Sequence, residues 1–256
     1  MGTLARTLTD LYNATVVCPS YRLAPEFPWP HSHHDAWDSL LWISAHATTS
    51  LGASPQTGFI LGGASAGANI AAVLAQKSLS GTSSSNEPPS LAAPLTGLWT
   101  DIPMLFARPE NVPDEYKKFH FSASQNAHAP GLLTPQAIQF IRDSFRADGT
   151  SPDFSPVNAE KPHVGMPRTF LQVAGMDMYR DDGLVYGRML EGAGVETRVR
   201  VYAGVPHGHA SLYPGLRASV EARVDSVEGI GWLLGREVGR ESVVRAMEGV
   251  AGLEKG

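Results

Sequence analysis

The stretch Phe59–Leu79 leaves this chain few folds to choose from. Phe59-Ile60-Leu61 is a short apolar run suited to a buried strand, and Ala66 to Lys77 is rich in good helix formers. Between them lies Gly63-Ala64-Ser65-Ala66-Gly67, a strand-to-helix turn with a serine at its apex. A turn that tight calls for small residues on both flanks, and it pushes the serine hydroxyl outwards. The helix start beyond it offers unpaired backbone N–H groups to a developing negative charge. Competing readings fit less well. Residues 58 to 75 carry no charge, but the glycines, Ser65 and Asn69 among them argue against a membrane span. A phosphate loop needs Gly-Lys-Ser/Thr where Ala68-Asn69 stands, and the G-x-G-x-x-G of a dinucleotide turn is not matched.

Strand and helix patterns alternate on either side of this turn. Leu4, Leu8, Leu11 and Tyr12 mark one face of a helix that Asn13 ends, and Ala14–Cys18 reads as a buried strand. A proline-punctuated loop, Tyr21–Pro30, leads to a helix over Asp35–His46 with Trp37, Leu40, Leu41 and Ser44 on one face. His31, His33 and His34 lack carboxylate or cysteine ligands at fixed spacing, so they predict a solvated helix start rather than a metal site. Ser80–Pro89 reads as a flexible surface loop and Leu95–Trp99 as a strand.

From about 104 to 164 the alternation lapses into a segment with Tyr116, Phe119, Phe121 and Phe140 and one good helix, Pro135–Phe145. That pattern predicts a cap inserted over the sheet's C-terminal edge; an ordinary long connection is the alternative. Strand 168–174, helix Asp181–Ala193 and strand 197–202 then follow. A last helix carries Leu216, Val220, Val224, Val227, Ile230 and Leu234 as a core stripe, and residues 236–256 look loose. The whole chain, 1–256, thus reads as one α/β domain built on a mostly parallel sheet with helices on both faces.

Composition bounds the partners. A net charge of −5 with 18% charged residues gives no reason to expect nucleic acid or an anionic membrane surface. The single cysteine, Cys18, excludes an internal disulfide and fits a reducing compartment. Met1–Thr7 has no apolar signal core, so a cytoplasmic location is expected. No metal, nucleotide or redox cofactor is implied, and the oligomeric state is left open.

In open parallel sheets, sites form at the C-terminal ends of strands. Ser65 follows the strand at 59–62, Asp177 the strand at 168–174, and His207 the strand at 197–202. Ser65 needs a base to take its proton during attack. His207 suits that task, with Asp177 holding its tautomer and stabilising the imidazolium. Asp181 and Asp182 begin a helix, where acids favour the N-terminus, and His209 lies further along the loop than His207. His46, His120, His128 and His163 lack such placement and read as structural or solvated.

These residues together resemble the hormone-sensitive-lipase-like carboxylesterases, the α/β-hydrolase fold-3 group. Tyr21-Arg22-Leu23-Ala24-Pro25-Glu26 is similar to the family's YRLAPE segment, and Gly63–Asn69 to its GDSAGGN elbow. Gly175–Asp181 resembles its G-x-D-P-L-R-D, His207-Gly208-His209 its H-G-F, and Ser155-Pro156 also fits. Ala64, Ala68, Met178 and His209 depart from the family residues at their positions. The resemblance implies a Ser65–His207–Asp177 triad that forms an acyl-enzyme on a small ester, with Ala66 N–H as an oxyanion donor. It also implies an HGGG oxyanion loop ahead of YRLAPE, which this sequence does not contain. The chain is therefore expected to begin after that loop, without the family's first strands and with impaired activity. The alternative is a non-catalytic, degenerate or truncated relative that binds ligands.

Overall fold

The structure, a computed structural model, describes residues 2–79, 90–129 and 131–253. The expected surface loop at 80–89 lies outside the described residues. Helices α1 (Gly2–Tyr12) and α2 (His31–His46) precede strand β1 (Ile60–Ala64) and helix α3 (Ala66–Lys77). Strand β2 (Gly97–Asp101) opens a long segment that holds only turns and helices, namely α4 (Asp114–Lys117), α5 (Ser122–Gln125) and α6 (Pro135–Phe145). Strand β3 (Arg168–Ala174), α7 (Arg180–Gly192) and β4 (Thr197–Tyr202) follow. Helices α8 (His209–Leu212), α9 (Arg217–Leu233) and α10 (Arg240–Leu253) end the fold.

The strands form one sheet in the order β1-β2-β3-β4, every pair parallel. Parallel neighbours require crossovers, so helices cover both faces and the inner strands are apolar on both sides. The pleat divides the core accordingly. Leu98 and Leu171 pack with Ala71, Ala75, Val185 and Leu190 of α3 and α7. Trp99 and Phe170, one residue out of step, pack on the opposite face with Leu8, Tyr12, Val224, Val227 and Val243 of α1, α9 and α10. Below the strand ends one buried amide is fully used. Gln172 Oε1 accepts from Trp99 Nε1 and Ser226 Oγ, and its Nε2 donates to the Tyr202 hydroxyl and the Ala222 carbonyl.

Several expectations need correction. Residues 14–18 form no strand and pair with none among the described residues, and Val16 and Val17 stay exposed. β-branched composition favours a strand only where a neighbouring strand supplies hydrogen bonds and packing. Residues 240–253, expected to be loose, form α10, with Val243 and Val250 buried. The core stripe of α9 begins only at Val224, because Leu216 and Val220 face solvent. The histidines at the start of α2 are not a solvated group, since His33 is buried. Elements β3, β4 and α6 match the expected bounds, whereas β2 lies two residues later than expected.

Candidate active site

The turn after β1 is held by a backbone conformation that L-residues rarely adopt. Ser65 has φ 55° and ψ −117°, and its N–H donates to the Asp101 carbonyl at the end of β2, 2.8 Å away. The two flanking glycines are not equivalent. A Cβ on Gly63 would sit 2.4 Å from the backbone of Gly67, whereas one on Gly67 would meet nothing. Only the first glycine is a steric necessity. Ala66 opens α3, so its N–H has no acceptor within the helix.

Asn69, one turn beyond Ser65, fixes the nucleophile helix to three other segments. Its Nδ2 donates to the carbonyls of Met104 (2.7 Å) and Phe154 (3.0 Å), and its Oδ1 lies 2.9 Å from His33 Nε2. Because the amide NH2 is spent on carbonyls, Oδ1 must accept, which puts the His33 proton on Nε2. Burial holds the His33 pKa below its ordinary value, so it makes this contact as a neutral ring.

The ends of three strands converge on Ser65. Its Oγ lies 2.7 Å from His207 Nε2, and His207 Nδ1 lies 2.6 Å from Asp177 Oδ2. Asp177 and His207 are both nearly inaccessible, at 2% and 4% exposure, so water does not compete for the carboxylate–imidazole contact. The remaining carboxylate oxygen, Asp177 Oδ1, accepts the Tyr179 N–H at 2.9 Å. Every site residue expected from the sequence is therefore brought to one place. His209 is not: its Nδ1 meets Ser219 Oγ of α9 at 3.0 Å, and its ring lies 5.7 Å from that of Tyr202.

Four features of the site were not legible beforehand. Asp101 ends β2 between the serine and aspartate turns; burial pushes its carboxyl up to about 7, the Asp177 charge acting the same way and His207 opposing. Asp181 and Asp182 do more than favour a helix N-terminus. Asp182 Oδ2 accepts the N–H groups of Leu105 and Phe106, and its Oδ1 meets His120 Nε2 at 2.7 Å. Asp181 Oδ2 accepts the N–H groups of Phe121 and Ser122. Burial works against charging His120, but its contact with Asp182 outweighs that and holds its pKa above the ordinary value. Finally, Asn126 Nδ2 donates to the Asp177 carbonyl at 2.8 Å. The segment after β2 is thus tied at several points to the turn that carries Asp177. A strand read as ending at Asp101 rather than Trp99 would have flagged that carboxylate.

A small cleft, with room for about one water, lies beside the pair, lined by residues that include Asp177, His207, Leu133 and Met178. Among the described residues no group of three or more His, Cys, Asp or Glu side chains could hold a metal ion. No helix among them is long and apolar enough to cross a membrane.

A parallel sheet carrying a serine on a strained strand–helix turn, with histidine and aspartate at later strand ends, defines the α/β-hydrolase class. A family model described as the alpha/beta hydrolase fold matches residues 2–211, and the chain belongs to that family, in its fold-3 carboxylesterase group. An AB hydrolase superfamily protein of Schizosaccharomyces pombe is 35% identical over 231 residues, which cover 90% of this chain and 65% of that protein. Versiconal hemiacetal acetate esterase of Dothistroma septosporum is 28% identical, covering 92% of this chain and 69% of its own length. The crystal structure of vibralactone cyclase superposes with a TM-score of 0.76 at 32% identity, over 85% of this chain and 61% of that one. The chain thus spans about two thirds of the length of the relatives it matches.

Proposed function

We propose that this chain is a serine carboxylic-ester hydrolase acting on a small ester through an acyl-enzyme on Ser65. One observation carries the reading: the Ser65 Oγ–His207 Nε2–Asp177 chain of contacts at 2.7 and 2.6 Å. The Asp177 carboxylate accepts from Nδ1, which leaves the Nε2 lone pair facing the serine hydroxyl. His207 takes the Ser65 proton as Oγ bonds to the ester carbonyl carbon, and Asp177 stabilises the imidazolium so formed. The Ala66 N–H, free at the head of α3, is the proposed donor to the oxyanion. Collapse breaks the bond to the alcohol oxygen, which leaves with the proton from His207. Water, deprotonated by the same ring, then releases the acid and restores Ser65.

The segment 104–164 is proposed as the cap that walls this site. Its ties to Asp177, Asp181 and Asp182 support that role, as does the presence of Leu133 in the wall of the cleft beside His207. The esterase named among the relatives supports ester chemistry over other uses of the same residues. The test is hydrolysis of p-nitrophenyl butyrate by the wild type and by Ser65→Ala. Loss of about 10⁴-fold or more in kcat is expected for the variant. Equal rates would remove Ser65 from the reaction.

A further inference from the structure

Helix α6 carries one arginine, Arg142, that has no hydrogen-bond or ion-pair partner for its side chain among the described residues. Ile138 and Arg142 are four residues apart and so share a face of the helix. Ile138 is buried with Leu133 and Met178, and Tyr179 packs against the same cluster. Arg142, one turn on, is half-buried and lies close enough to Tyr179 for its charge to act on that phenol. The Tyr179 ring in turn stands edge-on to His207, with centroids 6.4 Å apart. Arg22, Arg168, Arg180, Arg198 and Arg240 each hold a carboxylate. Arg142 Nε, by contrast, is buried without an acceptor, and its guanidinium has no hydrogen bond or ion pair to any described residue. The two acids that act on Tyr179 have donors of their own, Asp177 in His207 and Asp182 in His120. A guanidinium left with open donor sites beside a reaction centre is matched by a planar anion.

We propose that Arg142, together with the Tyr179 hydroxyl, forms a subsite for a carboxylate carried by the substrate, so that the site favours half-esters of dicarboxylic acids. The phenol is an intact donor for this purpose, because burial, with the Asp182 and Asp177 charges, pushes it up to about 12. Leu133, Ile138 and Met178, the apolar cluster against which Tyr179 packs, supply a flank for a short methylene chain between the scissile ester and the charged end. The proposal rests on the ester-hydrolase reading of this site.

The test is calorimetric titration of Ser65→Ala protein, which does not turn the ligand over, with monomethyl glutarate and with dimethyl glutarate. At low ionic strength the half-ester should bind about tenfold more tightly than the diester, a preference that shrinks as salt is added. Arg142→Gln in the same background should remove the preference, whereas Arg142→Lys, which keeps the charge, should retain part of it. Tyr179→Phe should weaken the half-ester alone. Equal affinity for the two ligands, binding of neither, or a preference that survives Arg142→Gln would overturn the proposal. Hydrolysis of p-nitrophenyl butyrate by the wild type reports on the reaction itself, so a failure of that reading is distinguishable from a failure of the subsite.

Discussion

His163 shows what a single buried side chain contributes when no described residue hydrogen-bonds to its ring. It is 2% exposed, neither ring nitrogen has a hydrogen-bond partner among the described residues, and its ring stands edge-on to Tyr186, whose hydroxyl has none among them either. Burial pushes its pKa down from 6.5 to about 4. Above pH 6.5 the ring is neutral in the folded and the unfolded chain alike. As pH falls from 6.5 towards 4, the unfolded chain takes up a proton that the folded chain refuses, so stability is lost across that window. His163→Phe keeps an aromatic ring on Tyr186 and removes the titration. Thermal melts between pH 7 and pH 4 should show a smaller fall in Tm for the variant than for the wild type. A parallel fall in both would mean that His163 does not carry the acid sensitivity assigned to it. His33 and His209, also lowered by burial, leave a residual slope in both proteins.

At the scale of elements, α9 does more than cover the sheet. Ser219 Oγ donates to the His209 carbonyl and meets His209 Nδ1, while Arg223 reaches the carbonyls of Ala210 and Pro214. These contacts clamp the loop that follows β4 and presents His207. Ser219→Ala leaves the buried His209 Nδ1 without a partner, at a cost of about 1–3 kcal/mol, whereas the His209 carbonyl keeps the Tyr213 N–H. Because the loop positions the base, kcat should drop more than KM changes, and steady-state kinetics beside a thermal melt will read both. Unchanged kcat in a folded variant would show that the clamp is not needed for positioning.

Legibility follows the same division between local pattern and long-range contact. β3 was readable from its β-branched and apolar residues between turn signals, β4 from the alternation of Arg198 and Arg200 with Val199 and Val201, and α6 because Pro135 follows a capping Thr134, whose Oγ1 accepts the Ala137 N–H at 3.1 Å. Residues 14–18 misled because a strand is defined by its partner. Helix α10 was missed although Val243, Met247 and Val250 keep helical spacing; its support comes from α1, more than two hundred residues away. At the site, Ser65, Asp177 and His207 were legible because each ends a strand, and the chain order is ordinary for such sheets. Asp182, Asn126 and Ser219 were not, because their partners are set only by folding.

At the scale of the whole molecule, one parallel sheet divides the labour. The face covered by α1, α9 and α10 carries the aromatic core around Trp99 and Phe170, and the opposite face holds the nucleophile helix α3. The strand ends gather a serine, an acid and a histidine that the sequence keeps 112 and 30 residues apart, from Ser65 to Asp177 and on to His207. The central claim is that these three work as a unit. Labelling with a fluorophosphonate, followed by mass spectrometry of the peptides, tests it without knowledge of the natural ester. The account predicts one modified residue, Ser65, and a labelling rate that collapses in His207→Ala. No adduct, an adduct on another serine, or undiminished labelling of Ser65 in His207→Ala would contradict it.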